Sequence, residues 1–177
     1  MIQSTEHLIA VLAELGKTPS SCEFFINDDG SLTVTGVDDA LVQAAIAAVD
    51  PIAVADAALL AEVANARALK KLELKGERDL MCVRNVTAIG YVWQADPISQ
   101  QLLASKIALC SAGGALPYIW RTADDVDYMV TSLSDLVTIA EAMSSQAEQA
   151  YQHYWLKKAE VDNATAVAEV EAVQWML

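Results

Sequence analysis

The chain predicts an α+β fold, with a small N-terminal helix–hairpin–helix module, a long connecting helix and a hairpin–helix–hairpin–long helix module. Three observations point there. Strand-like runs come in pairs around turn signals, as at Asn27-Asp28-Asp29-Gly30 and Ala123-Asp124-Asp125. Asp-Pro occurs at Asp50-Pro51 and again at Asp96-Pro97, an N-cap followed by the residue best tolerated at the first helical position. Beyond Ser132 a seam of small and apolar residues continues at steps of four and three. The modules divide at residues 1–50, 51–79 and 80–177.

Each element has its own local cause. Ser4 or Thr5 caps a first helix whose Leu8, Val11, Leu12 and Leu15 share a face, and Gly16 ends it. Residues 22–26 and 32–35 form a hairpin about the Asp-Gly turn. Asp38 or Asp39 caps a short helix through Val49. From Pro51 the pattern is helical to about Lys75, where Gly76 loosens it, and Leu59, Leu60, Val63, Ala66, Leu69 and Leu72 keep helical spacing. Residues 86–93 have strand composition, with Gly90 as turn or bulge. Asp96-Pro97 starts a helix with Ile98, Leu102, Leu103 and Ile107 as its buried stripe, and Gly113-Gly114 stops it.

Tyr118-Ile119-Trp120 and Tyr128-Met129-Val130 are the next two strands. Ser132-Leu133-Ser134-Asp135 then has capping-box spacing. The final helix carries Leu136, Ala140, Met143, Ala147, Ala150, Tyr154, Lys157 and Val161 as its seam, Lys157 being the flaw. That seam suits either a hairpin with the 51–75 helix or a homo-oligomer.

Composition limits the function classes. Over 177 residues, 54% are hydrophobic, too many for a disordered chain. Much of that share is alanine, which favours helix and close helix–helix approach. The formal net charge is -13, and no Lys/Arg stripe stands ready to neutralise phosphates, so nucleic acid and anionic membrane surfaces are not expected partners. No segment approaches the roughly 20 apolar residues of a span. The first six residues lack the basic start of a signal peptide, so a soluble chain made in a cytoplasm is expected.

Chemistry-bearing patterns are sparse. Cys22, Cys82 and Cys110 are widely spaced among apolar neighbours and read as small buried hydrophobes. With His7 and His153 the only histidines, no zinc set forms, and no metal or cofactor is expected. Asp124-Asp125-Val126-Asp127 invites a calcium or carboxylate-pair reading, but Met129 and the missing Gly break the calcium-loop pattern. Aspartates there are natural turn formers, and Asn27-Asp28-Asp29-Gly30 reads the same way. A carboxylate-based hydrolase using Asp124, Asp125 and Asp127 is the alternative to a non-enzymatic protein. His153 reads as a helix-surface or interface histidine, and Gly113-Gly114 lacks the Lys-Ser/Thr of a phosphate loop.

The aromatics form two groups: Tyr91, Trp93, Tyr118, Trp120 and Tyr128 on the strands, and Tyr151, Tyr154 and Trp155 on the last helix. They suit a packed sheet-on-helix core and also a binding surface, where Trp, Tyr and Arg dominate. Trp93, Trp120, Arg121, Tyr151 and Trp155 are the candidate partner-binding residues. Trp175-Met176-Leu177 reads as a docking tail or a frayed end.

Residues 64–164 resemble an uncharacterised domain family found in tail fibre and tail-fibre-assembly proteins of tailed bacteriophages. The matching features are Glu77-Arg78-Asp79, then Gly90, Trp93, Gln94, Asp96 and Ser99. They continue with Trp120-Arg121-Thr122-Ala123-Asp124, Leu133, Tyr151, Trp155 and Lys157. Asp125 stands where Asn is expected. The resemblance implies a viral, tail-associated protein without enzymatic activity. It would be a structural fibre or baseplate component of the virion, or an assembly chaperone in the host cytoplasm. Its implied partner is a tail fibre or baseplate protein, and the long helix adds a homo-oligomer to the expectation.

Overall fold

In a computed structural model, which describes residues 1–176, the chain is α+β. Among the described residues it has six helices and three two-stranded antiparallel sheets. Two compact units emerge, Met1–Asn65 and Ala66–Leu177, so the boundary falls inside the long helix rather than at its two ends.

In the first unit, helix α1 (Thr5–Glu14) is capped by Ser4, whose hydroxyl accepts from the His7 amide at 3.1 Å. Gly16 ends the turn at a φ of +65°, a left-handed conformation that costs glycine little. Strands β1 (Phe24–Ile26) and β2 (Leu32–Val34) pair with Phe24 opposite Val34. Alternation turns Leu32 and Val34 inward and Thr33 outward. Helix α2 (Asp39–Ala48), capped by Asp38, adds Val42 and Ala45 to a core with Val11 and Leu12.

Helix α3 (Pro51–Cys82) begins where expected, with the Asp50 carboxylate accepting from the Ile52 amide at 2.9 Å. It does not loosen at Gly76 but runs through Glu77-Arg78-Asp79 to Cys82. Its buried positions also differ from those expected. Val63 and Leu74 are buried, whereas Leu59, Leu60, Leu69 and Leu72 are exposed. The covered arc follows what packs on it, and helical spacing alone does not say which arc that is.

In the second unit, strands β3 (Val86–Ala88) and β4 (Tyr91–Trp93) close through Ile89 and Gly90, both at positive φ. Such a turn matches strand twist, though it forces a β-branched residue to φ 48°, and Ile89 packs half-buried on the core. Helix α4 (Pro97–Ser111) is capped by Asp96, which accepts from the Ile98 and Ser99 amides. Leu103 and, in part, Ile107 face inward, but Ile98 and Leu102 face solvent, contrary to the expected stripe. Strands β5 (Tyr118–Arg121) and β6 (Asp127–Val130) make the third hairpin.

Helix α5 (Leu133–Asn163) opens with the expected capping box. Its seam is covered within the chain. Leu136 and Met143 pack with Trp93, Val130 and Leu103, while Val161 packs with Leu74 of α3. Lys157, the seam's flaw, turns its ammonium to Glu160 at 3.1 Å. The second half of α3 runs antiparallel along α5. Arg67 donates to the Ala164 carbonyl at 2.6 and 3.1 Å, Lys71 pairs with Asp162, and Gln146 donates to the Arg84 carbonyl at 2.6 Å. Of the two arrangements the seam suits, the chain shows the single-chain brace.

A short helix not foreseen from sequence, α6 (Val167–Ala172), follows α5. The Glu169 carboxylate accepts from the Thr165 and Ala166 amides and starts it. Val170 and Val173 then fold back on Leu74 and Val161.

Candidate functional site

The five candidate contact residues fall into two places. Trp93 sits in the core at 2% exposure, and its indole N–H donates to the Ala88 carbonyl at 2.9 Å. It stacks edge-on against Trp120 (6.3 Å, 74°) and Tyr128 (5.5 Å, 88°). A buried indole with its donor satisfied offers nothing to a partner, so Trp93 is a core residue and not a contact. Trp120 is half-buried and lines a hollow of about 170 Å³ with Leu102, Lys106, Tyr118 and Ile119. The Tyr118 hydroxyl is buried beneath the surface, and burial pushes its pKa up to about 12.

Arg121 is exposed, but its guanidinium is engaged. It donates from Nε to Asp127 at 3.0 Å and lies 4.0 Å from Asp125. The turn beneath is built from backbone. Thr122, buried, donates its amide to Val126 and accepts the Val126 amide at Oγ1 (3.1 Å). Asp125 holds a φ of 58°, a conformation Asp tolerates better than most residues. The Ala123 amide donates to the Val92 carbonyl at 2.9 Å and ties one hairpin to the other. Much of the run Trp120-Arg121-Thr122-Ala123-Asp124 is therefore a clasp between two hairpins. Among the described residues no group of three or more His, Cys, Asp and Glu could hold a metal ion.

Tyr151 and Trp155 lie on the outer edge of α5, their rings 6.0 Å apart, with Trp155 60% exposed. Arg78 of α3 reaches over both Tyr151 (4.6 Å) and Tyr154 (5.0 Å). A hydrogen bond to Asp79 holds the Arg78 guanidinium still more firmly protonated. This cation–π pair fixes the inner side of Tyr151 and leaves Trp155 and Leu156 open to solvent.

His153 is half-buried on α5 rather than open at the helix surface. Its ring packs under Trp175, centroids 4.6 Å apart at 82°. Trp175 is half-buried, so the tail folds back at least to that residue, and Leu177 lies outside the described residues. His7 is buried in the first unit, where its Nδ1 accepts from the Gln3 amide at 3.2 Å.

Two further surfaces stand out, one with no signal in the sequence and one partly signalled by the helical spacing of Leu69 and Leu72. One is a groove of about 640 Å³ between the end of α3, β3 and α5, lined by Arg84, Asn85, Thr87, Ser145, Gln146 and Gln149. Its residues are far apart in sequence, so no local motif announces it. The other is the outer face of α3, where Leu69, Leu72 and Leu80 are exposed, with Val83 exposed in the turn just past its end.

Fold and surface define a class: a double-hairpin module braced by two long helices, with its aromatic residues divided between core and surface. Residues 65–174, more than half of the chain, match the model of a domain of unknown function (DUF4376). The chain belongs to that family. The matched span coincides closely with the second unit, and nearly all of the first unit lies outside it. No curated protein and no solved structure matches the chain.

Proposed function

We propose that the chain is a non-enzymatic bacteriophage tail-associated protein that works through protein–protein contacts. It acts either as a structural fibre or baseplate component or as a tail-fibre assembly chaperone. The resemblance of residues 64–164 to domains of tail fibre and fibre-assembly proteins supports this reading. The observation that carries the contact mode is the exposed Trp155–Tyr151 edge of α5, backed by Arg78. A large aromatic held rigid by its neighbours yields contact area at little entropic cost. The Asp124, Asp125 and Asp127 carboxylates, in contrast, sit on a tight turn beside Arg121.

Mass spectrometry of purified particles separates the two versions. Stoichiometric presence marks a virion component, and abundance in infected cells with absence from particles marks a chaperone. Capture of a fibre or baseplate protein by the tagged chain is expected, and Trp155→Ala should weaken it at least tenfold, about 1.4 kcal/mol. Failure to capture any tail protein from infected cells would remove the proposal.

A further inference from the structure

The β3–β4 hairpin has two outer edges, and the chain occupies one of them. Its turn, Ile89-Gly90, holds both residues at positive φ, 48° and 83°. A two-residue turn of that kind is closed by a pair that exchanges both backbone hydrogen bonds, here Ala88 and Tyr91. Bonded and non-bonded pairs alternate along an antiparallel ladder, so Thr87 and Val92 turn their amides and carbonyls outward. On the β4 side the Ala123 amide donates to the Val92 carbonyl at 2.9 Å. On the β3 side the exposed Thr87 has no such partner among the described residues. The backbone of Asn85, two residues earlier and in step with Thr87, is unpaired as well.

That free edge forms one wall of the groove of about 640 Å³. No β4 residue lines the groove, which places it along the unpaired side of β3. The facing wall is α5, with Ser145, Gln146 and Gln149. Gln146 donates to the Arg84 carbonyl at 2.6 Å and Gln149 to the Ser145 hydroxyl at 3.2 Å, so the polar wall is held in place. No aromatic ring lines the groove, and a sugar or a base would find no face to stack on. Among the described residues Arg84 is the one charged side chain in the lining, and no carboxylate pairs with it. Glu141 and Glu148 stand on the exposed flank of α5 beyond Ser145 and do not line the groove.

We propose that this groove binds an extended peptide segment of another protein, which adds to β3 as a third strand and sets a carboxylate on Arg84. Unpaired backbone groups on a strand edge are complementary to another extended backbone. An added strand lies about 4.8 Å away, between β3 and the polar wall of α5. In an antiparallel addition one residue of the peptide exchanges both bonds with Thr87. The residue two positions further on meets Asn85, and the next reaches Arg84. An acidic side chain there completes a charge-assisted bond with the free guanidinium and fixes the register. The wall of α5 that lines the groove is not the edge that carries Tyr151 and Trp155. This inference therefore does not rest on the tail reading and holds or fails without it.

The test is selection on the full chain from a displayed random library of linear peptides, about ten residues long. The selected peptides are then synthesised with blocked ends and titrated into the chain. They are expected to carry an acidic residue, to shift the Thr87 amide resonance and to slow its exchange. Methylating the peptide nitrogen that pairs with Thr87 should weaken binding roughly tenfold, as should Arg84→Glu. Thr87→Pro removes the outward donor without removing a bond to β4, and should abolish binding. Arg84→Glu keeps the carbonyl that Gln146 holds, so it decides the matter should the proline variant misfold. The proposal falls if no selected peptide protects the Thr87 amide. It falls if N-methylation leaves binding unchanged, since the peptide would then be held by side chains alone. It falls if Arg84→Glu binds as tightly as the natural chain. A chain that self-associates and becomes monomeric on Thr87→Pro would give the edge to a second copy, and would overturn it too.

Discussion

The two long helices of the family domain each carry apolar residues at helical spacing, and their stripes meet different fates. On α5, Leu136, Met143, Ala150 and Val161 are all buried within the chain. On the outer face of α3, Leu69, Leu72 and Leu80 stay in solvent, although the same helix buries Leu74 on the opposite side. Periodicity marks a face that needs cover; it does not name the cover. The α5 seam finds it in β3, α4 and the inner face of α3, all within one unit. The outer α3 stripe belongs to neither hydrophobic cluster of that unit.

The comparison breaks most directly by truncating one leucine from each face. Leu136→Ala and Leu74→Ala should each cost about 3 kcal/mol of unfolding free energy, since both side chains are fully buried. Leu72→Ala, measured under conditions where the chain is monomeric, should cost under about 0.5 kcal/mol. Chemical denaturation of the three variants checks this, and equal losses would erase the distinction between inner and outer faces.

Arg67→Ala comes next. It removes two charge-assisted hydrogen bonds to the Ala164 carbonyl, at the junction where α6 folds back. A loss of about 2 kcal/mol is expected, with faster amide exchange in residues 164–173 than elsewhere. Uniform acceleration would mean that the tail is not a separable clasp.

Ser132→Ala should cost about 1 kcal/mol, because the Ser132 hydroxyl accepts from the Asp135 amide at the start of α5. An unchanged unfolding midpoint would show that packing alone sets where α5 begins.

The smallest effect is in acid. Burial pushes the Asp135 carboxyl up, but hydrogen bonds from Ser132 and Thr131 outweigh it and hold the group below the usual range. Asp96 is held low by Ser99. Both groups are depressed in the folded state. Their contribution is therefore complete above the ordinary carboxylate value, about pH 4, and is lost as pH falls below it. Asp135→Asn should flatten the acid limb of a stability–pH profile, and an unaltered limb would assign it to other carboxylates.

Much of this was legible in the sequence because its causes are local. Asp-Pro caps, the Ser132–Asp135 box and the paired strands around Asp-rich turns act over a few residues. The candidate contacts were legible only as residue types. Trp93 and Trp155 look alike in sequence, yet one satisfies its N–H on Ala88 in the core and the other stands in solvent. The difference comes from elements distant along the chain, the β5–β6 hairpin covering one indole and nothing covering the other. Helix α6 was missed because its start depends on Glu169 reaching back to Thr165, with only six helical residues to carry a period.

By itself the sequence determined the fold class, the order of hairpins and helices and most of their caps, since these follow from short-range hydrogen bonding and steric preference. The tertiary structure decided which face of each helix is buried, how the two units divide α3 and which aromatics remain at the surface. Those outcomes depend on competition among distant apolar faces for a limited amount of cover, and no local window of the chain contains that competition.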